Sequence, residues 1–445
     1  MGREPNQGLE RLYRETGWTL RQFVQAVNRI GTEHGTPLTY REPSAHQWLK
    51  GHVPKEAVRP LIVEALARRL GRPITHAEAW FASPADGSAA TPGTVEGLID
   101  LGRQDMDPSR RSVVGATLFS VALTIPGWQG VVGRMEAVQS GQVQRIGMPE
   151  VDMVIAMTER ISELDDQFGG RHARPMAAAF LVNTVAPYLR AEASEPARKA
   201  MMSAASDLCY LTGYMAVDEG VHGLAQLYYL KALQLAGAAD DHLTYCTTLR
   251  GMSVQAVDLR HSREALRLAD AAAAASPQAG PRMRAFLAGQ QAHAAAQTGN
   301  RNQALTYLRE AEVAMEKAES REKAFGSYDP AALHYHTSQV RFEMGDTRGA
   351  VEAMQQSDRL RYDVYRRTRV KERAILAERQ LNIGLLDAAC ATWHKALDDY
   401  PLIQSGRADE RMRALFKLIR PHLKNRAVRE LHERARLVTP AALMA

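Results

Sequence analysis

Five stretches of this chain repeat one frame, and the frame limits what the chain can fold into. Each has a turn-forming residue, an alanine five positions later, and an alanine or serine seven further on. They are Gly220/Ala225/Ala232, Arg260/Ala265/Ala272, Gly299/Ala304/Ala311, Gly345/Ala350/Ser357 and Gly384/Ala389/Ala396. Their starts lie 39–46 residues apart. A period of this size marks an array of supersecondary units, none of which buries its apolar face alone. The turn residue ends one helix of a pair. The first small residue lets the second helix pack closely on it, and the second small residue lets the next pair do the same. Pro277 and Pro401 stand where the second helix should stop in two of the units.

The rest of the composition agrees with an all-α protein. Aromatic residues make up only 6% of the 445, and alanine runs such as 271–275 are common. Alanine has the best helix propensity, and the Val/Ile/Thr runs that announce sheets are scarce. The three cysteines, Cys209, Cys246 and Cys390, are far apart and form no CxxC pair. That argues against a disulfide framework or a zinc ribbon and points to the cytosol.

A proline/glycine-rich stretch at 83–93 divides the chain. We therefore expect a small N-terminal domain at 1–82, the linker, a helical connector at 94–150 and a repeat domain at 151–436. Residues 1–82 carry 12 Lys/Arg against 8 Asp/Glu, a denser positive charge than the rest of the chain. This suits a domain that meets a polyanion. The expected helices of the first domain begin near Leu9, at Thr19 (with Gln22 completing a capping box), at Ser44 (with Gln47 in the same arrangement), at Pro54 and at Thr75. In the connector, the apolar stretch Ser112–Trp128 follows Arg110 and Arg111. Its uninterrupted part is too short for a bilayer, which needs about 20 residues, so a buried helix is expected.

Taken together, these units resemble tetratricopeptide (TPR) repeats over residues 200–402, with a divergent copy at 151–195. The spacing exceeds the usual 34 residues. The glycine usual in the first helix persists only as Gly213 and is replaced by Ser253, Ala292, Ser338 and Ala377. The resemblance implies a curved α-solenoid whose first helices line a concave face. On that frame Tyr210, Tyr214, Asp218, Arg250, Phe286, His293, Tyr335, Gln339 and Asn382 face inward, as candidates to hold a peptide or small ligand.

The segment Tyr40-Arg41-Glu42-Pro43-Ser44-Ala45-His46-Gln47-Trp48-Leu49-Lys50-Gly51-His52-Val53-Pro54 resembles the end of the recognition helix in lambda-repressor-like (XRE-type) helix-turn-helix regulators. In that reading Trp48 plugs the bundle and the opposite face enters the major groove. Candidate base readers are Arg41, Glu42, Ser44, His46 and Gln47. Candidate phosphate contacts are Arg21, Gln22, Lys50 and His52. The order of the parts resembles actinobacterial XRE-type regulators with C-terminal TPR repeats. Leu164-Asp165-Asp166-Gln167-Phe168-Gly169-Gly170 and the segment from Gly220 to Tyr229 add to the likeness. It implies a homodimeric transcriptional regulator that binds double-stranded DNA, with no cofactor. No phosphate loop, HExxH or GxSxG pattern is present, so no enzyme is expected. The competing reading is a TPR interaction scaffold with a vestigial helix-turn-helix domain.

Overall fold

In the computed structural model, all five turn residues of the frame take positive φ: Gly220 at 81°, Arg260 at 61°, Gly299 at 83°, Gly345 at 86° and Gly384 at 81°. Each reverses the chain between two antiparallel helices. The small residues that follow are buried in all five units, as the frame requires. The structure describes residues 6–33, 37–55, 58–70, 74, 78–79, 93–106, 145–275, 279–318 and 328–444. Among these there is no strand, and no helix is long and apolar enough to cross a membrane. The linker at 83–92, Pro277 and the apolar stretch Ser112–Trp128 lie outside the described residues.

The N-terminal bundle contains α1 (Gln7–Thr16), α2 (Leu20–Glu33), α3 (Glu42–Leu49) and α4 (Arg59–Leu70). Leu9, Leu12, Phe23, Val27, Ile30, Ile62 and Leu66 form its core. Trp48 meets Phe23 edge-on, with ring centroids 6.3 Å apart, and meets Tyr40 at 5.1 Å. Arg68 ties α4 to α2 through Glu33 at 2.6 Å. Two expected starts move. The fourth helix begins at Arg59 rather than Pro54, with Pro60 in its first turn, where the missing N–H costs nothing. Pro54 instead offers its carbonyl to Arg59 Nε at 3.0 Å. The helix expected from Thr75 falls largely outside the described residues, where Glu78 and Ala79 form a turn.

After α5 (Thr94–Met106) come α6 (Met148–Phe168) and α7 (Gly170–Phe180), which continues through a π turn at Leu181–Val185 into Ala186–Arg190. The repeats are the pairs α8 (Glu195–Asp218) with α9 (His222–Ala239), α10 (His242–Asp258) with α11 (Ser262–Ala274), and α12 (Pro281–Gln297) with α13 (Arg301–Glu316). The pairs α14 (Pro330–Glu343) with α15 (Thr347–Leu360), and α16 (Arg366–Asn382) with α17 (Leu386–Asp399), complete the set. Helices α18 (Gly406–Ile419) and α19 (Arg426–Val438) follow. Consecutive pairs stack as an α-solenoid. The replaced glycine positions explain themselves. A Cβ at Gly213 would meet the Tyr229 ring at 2.8 Å, whereas Ser253 has room and donates to the Ala265 carbonyl at 2.7 Å.

The solenoid does not stay open. The helix that precedes the repeats meets the last repeat pair: α6 packs on α16 although about 200 residues separate them. Phe168 accepts from the Gln404 amide at 2.7 Å, and Gln404 accepts from the Arg171 amide at 3.2 Å. Gly169, with φ 91°, lies so close to Gln404 that a Cβ would come within 2.4 Å of its carbonyl oxygen. One full turn of helix pairs thus closes into a ring.

Candidate functional site

The bundle presents one polar helix outward. A capping box fixes the start of α2: Thr19 N donates to Gln22 Oε1 at 2.9 Å, and Gln22 N donates to Thr19 Oγ1 at 3.3 Å. From the middle of α2, Asn28 clamps the chain entering α3. Its amide donates to the Tyr40 carbonyl at 2.9 Å, and its oxygen accepts from Tyr40 N at 3.1 Å. With Ala45, Trp48 and Leu49 turned into the core, Arg41, Glu42, His46, Gln47 and Lys50 are exposed on α3 and its flanks. Arg21, Gln22 and His52 are exposed as well, and Ser44 is half-buried.

One local expectation is corrected. Ser44 does not open α3 and forms no capping box with Gln47. The helix starts at Glu42, with Arg41 as an extended N-cap (φ −124°, ψ 171°) and Pro43 in the first turn. The fixed φ of proline suits that turn, and Glu42 adds a negative charge where the helix dipole favours one. The end of α3 follows the sequence. Gly51 takes φ 90°, while His52 N reaches back to the Gln47 carbonyl at 3.0 Å and Gly51 N to Trp48 at 3.2 Å, a Schellman stop.

The array holds a second site, a cavity of about 170 Å³ whose lining runs from α6 to α18. Of the nine residues expected on the concave face, Tyr210, Tyr214, Arg250, Phe286 and Tyr335 line it. The other four do not. Asp218 ends α8 and sits at the ring seam, where it accepts from Gly170 N at 3.2 Å and Ser405 Oγ at 2.8 Å. Asn382 is the last residue of α16 and is exposed. Gln339 stands behind the wall, donating to Tyr335 Oη at 2.7 Å and accepting from Arg379. His293 is buried between helices beside His336. Asp218 and Asn382 are the last residues of their helices, beyond the stretch that faces the cavity.

Sequence reasoning missed the residues that close the ring. Arg367 donates to the carboxylates of Asp165 at 2.8 Å and Asp166 at 3.2 Å, and to the Asp165 carbonyl at 3.2 Å. Arg407 pairs with Asp258, and Arg361 with Glu372 at 3.0 Å and Asp329 at 3.4 Å. The acidic pair in the motif at 164–170 was visible in the sequence. Its basic partner 202 positions away was not.

The electrostatics follow from burial and from these cations. Burial pushes Asp165 up to about 7 even though Arg367 pulls the other way. Burial would also raise the Tyr214 phenol, yet Arg367, Arg407, Lys371 and Arg250 together hold it below its ordinary value. Burial pushes His293 down to about 3 and His336 well below the usual imidazole range, so both rings are neutral at pH 7. Among the described residues, no group of His, Cys, Asp and Glu side chains is arranged to hold a metal ion.

The family model of the SP15 N-terminal domain matches residues 9–82, a span that covers the bundle and none of the repeats. No curated protein matches the chain.

Proposed function

We propose that this chain is a sequence-specific DNA-binding transcriptional regulator of the cytoplasm, acting as a homodimer, whose ring of helix pairs receives a small effector. The observation that carries the reading is α3. It is a short helix pinned to α2 by Trp48, Tyr40 and Asn28, with Arg41, His46, Gln47 and Lys50 all turned to solvent on its outer side. Side chains so placed are free to bond to base edges and phosphates. Arg21 and Gln22, at the exposed start of α2, stand where a helix-turn-helix unit meets the phosphate backbone. A single reading helix gives limited affinity, and two half-sites raise it, hence the dimer.

The reading gives the array a separate task. Its cavity brings aromatic rings and several charges together, the composition of a ligand site rather than of a catalytic centre. On this reading the protein is a regulator without enzymatic activity.

The test is retention of fragmented genomic DNA by the purified protein at two salt concentrations, followed by sequencing. A shared, roughly palindromic site that persists at the higher salt is the expected result. Uniform retention that vanishes with salt, or none, would favour the scaffold reading. That alternative draws on Glu42, an exposed carboxylate in the middle of the proposed DNA face.

A further inference from the structure

The cavity's charges do not cancel. Five cationic side chains line it, Arg250, Arg361, Arg367, Lys371 and Arg407, against three carboxylates, Asp165, Asp166 and Glu372. Three of the cations are spoken for: Arg367 by the acidic pair of α6, Arg361 by Glu372 and Asp329, and Arg407 by Asp258. Arg250 and Lys371 have no carboxylate within ion-pair distance among the described residues. Both lie on aromatic rings instead. The Arg250 guanidinium is 3.9 Å from the Phe286 centroid, and Lys371 Nζ is 5.4 Å from that of Tyr335. The Arg250 Nε is buried and has no hydrogen-bond partner among the described residues. Lys371 Nζ has only a long contact to Tyr335 Oη, at 3.5 Å. The two cations line the same cavity, as does Tyr214. Both side chains are half-buried, and a cation drawn part-way out of water without a carboxylate partner is a place that an anion can complete.

Size narrows the anion. The cavity offers about 170 Å³, a space on the scale of one or two small rings rather than of an extended peptide. A cavity of roughly 150 Å³ holds one benzene ring. The walls between the cations are the rings of Tyr210, Phe286 and Tyr335, so the body of the ligand meets flat apolar faces.

We infer that the ring binds a small aromatic carboxylic acid as its anion, with the carboxylate between Arg250 and Lys371 and the ring against the aromatic walls. This rests on the reading of the array as the effector-binding part, and it names the class of effector. Both cations carry donors that now lack a full set of acceptors, and a carboxylate offers two oxygens. The paired cations stay with their protein partners, so ligand binding need not open the ring seam.

The experiment uses the full chain and a panel of ring-bearing monocarboxylates from benzoate to naphthoate, each beside its neutral amide. Binding is read by calorimetry and by the shift in melting temperature. At least one acid should bind, and its amide should bind at least tenfold more weakly. Lys371→Met and Arg250→Met should each weaken that acid tenfold or more. The empty Lys371→Met protein should melt no lower than the parent, because a cation kept for a ligand does not hold the fold together. Equal binding of acids and amides, binding of none, or a Lys371→Met variant that fails to fold would each overturn the inference. Failure of the regulator reading looks different: the acid binds as described, but DNA retention is absent with and without it.

Discussion

The bundle turns its polar side chains outward, and the array turns its own inward. On α3, Arg41, His46, Gln47 and Lys50 stand in water, and the core behind them is mainly apolar. In the array, Arg367, Asp165, Asp218 and Arg407 are all buried where the first and last helices meet. The difference shows what each surface is for. Exposed charges cost little to keep and are free for a partner. Buried ones contribute only if their geometry is complete, and removing one partner leaves an uncompensated charge. The exposed polar groups of α3 can therefore be changed without unfolding the bundle, whereas the buried, paired charges of the seam cannot.

The largest expected effect tests the array's half of that contrast. Arg367→Ala leaves Asp165 buried beside Asp166 and within reach of Asp218. It should destabilise the array by about 3–5 kcal/mol in denaturant unfolding. The bundle's transition should not move. A loss under about 1 kcal/mol would mean that the backbone bonds of Phe168 and Gln404 hold the seam without help.

Next comes the bundle's half. Replacing Arg41 and Gln47 with alanine should lower affinity for a selected DNA site by about 1–3 kcal/mol for each base that is no longer read. Stability should change by no more than about 0.5 kcal/mol, because both side chains are exposed. Unchanged affinity would remove α3 as the reading helix. A marked loss of stability would contradict the outward placement itself.

How much of this was legible in the sequence follows the same division. The repeat frame foretold the helix pairs, because a turn residue and two small residues at fixed offsets are a local pattern. Trp48, Gly51 and the Thr19–Gln22 capping box were legible for the same reason. The start of α3 was misread, since Ser44 fits an N-cap pattern better than Arg41, which makes no side-chain cap bond, and only the preference of Pro43 for a first turn points to the earlier start. The ring was not legible at all. Asp165 and Arg367 lie 202 residues apart, and no local rule links them. Nor did periodicity reveal that Asp218 seals the seam rather than lining the cavity, because that depends on how far each pair rotates relative to the last.

A pH titration separates the two regions more finely. Within the array His293 is held at about 3 and His336 well below its usual value, whereas an unfolded imidazole titrates near 6.5. The unfolded chain then binds more protons than the folded one between these values. Stability from these residues is complete above about pH 6.5 and is lost as the pH falls towards 3, with a slope of up to about 1.4 kcal/mol per pH unit for each ring. Burial of Asp165 acts in the opposite direction, since a carboxyl raised above its ordinary value makes stability fall as the pH rises from about 4. The diagnostic quantity is therefore a difference: His293→Gln should flatten the acid limb of the array's stability curve relative to the parent. Parallel curves would show that His293 takes up its proton without cost.

The smallest effect addresses whether the ring behaves as a ring. Thr19 and Asn300 both cap helices, Thr19 in the bundle and Asn300 at the start of α13, where it accepts from Gln303 N at 3.2 Å. Changing either to alanine should cost about 1 kcal/mol. In the bundle that loss should appear everywhere, because so small a unit unfolds as one. In an open solenoid the Asn300 loss would stay near α13, since each repeat contacts only its neighbours and the ends fray independently. When the two ends of the stack are joined, the helix pairs between them cannot fray independently, and here α6 is held on α16 while Arg260 reaches to Glu343 at 2.6 Å. Amide exchange in α8 and α16 of Asn300→Ala should therefore accelerate along with that in α13. Acceleration confined to α13 and its two neighbours would mean that the seam opens faster than the repeats do, and that the array is in effect an open stack whose ends touch.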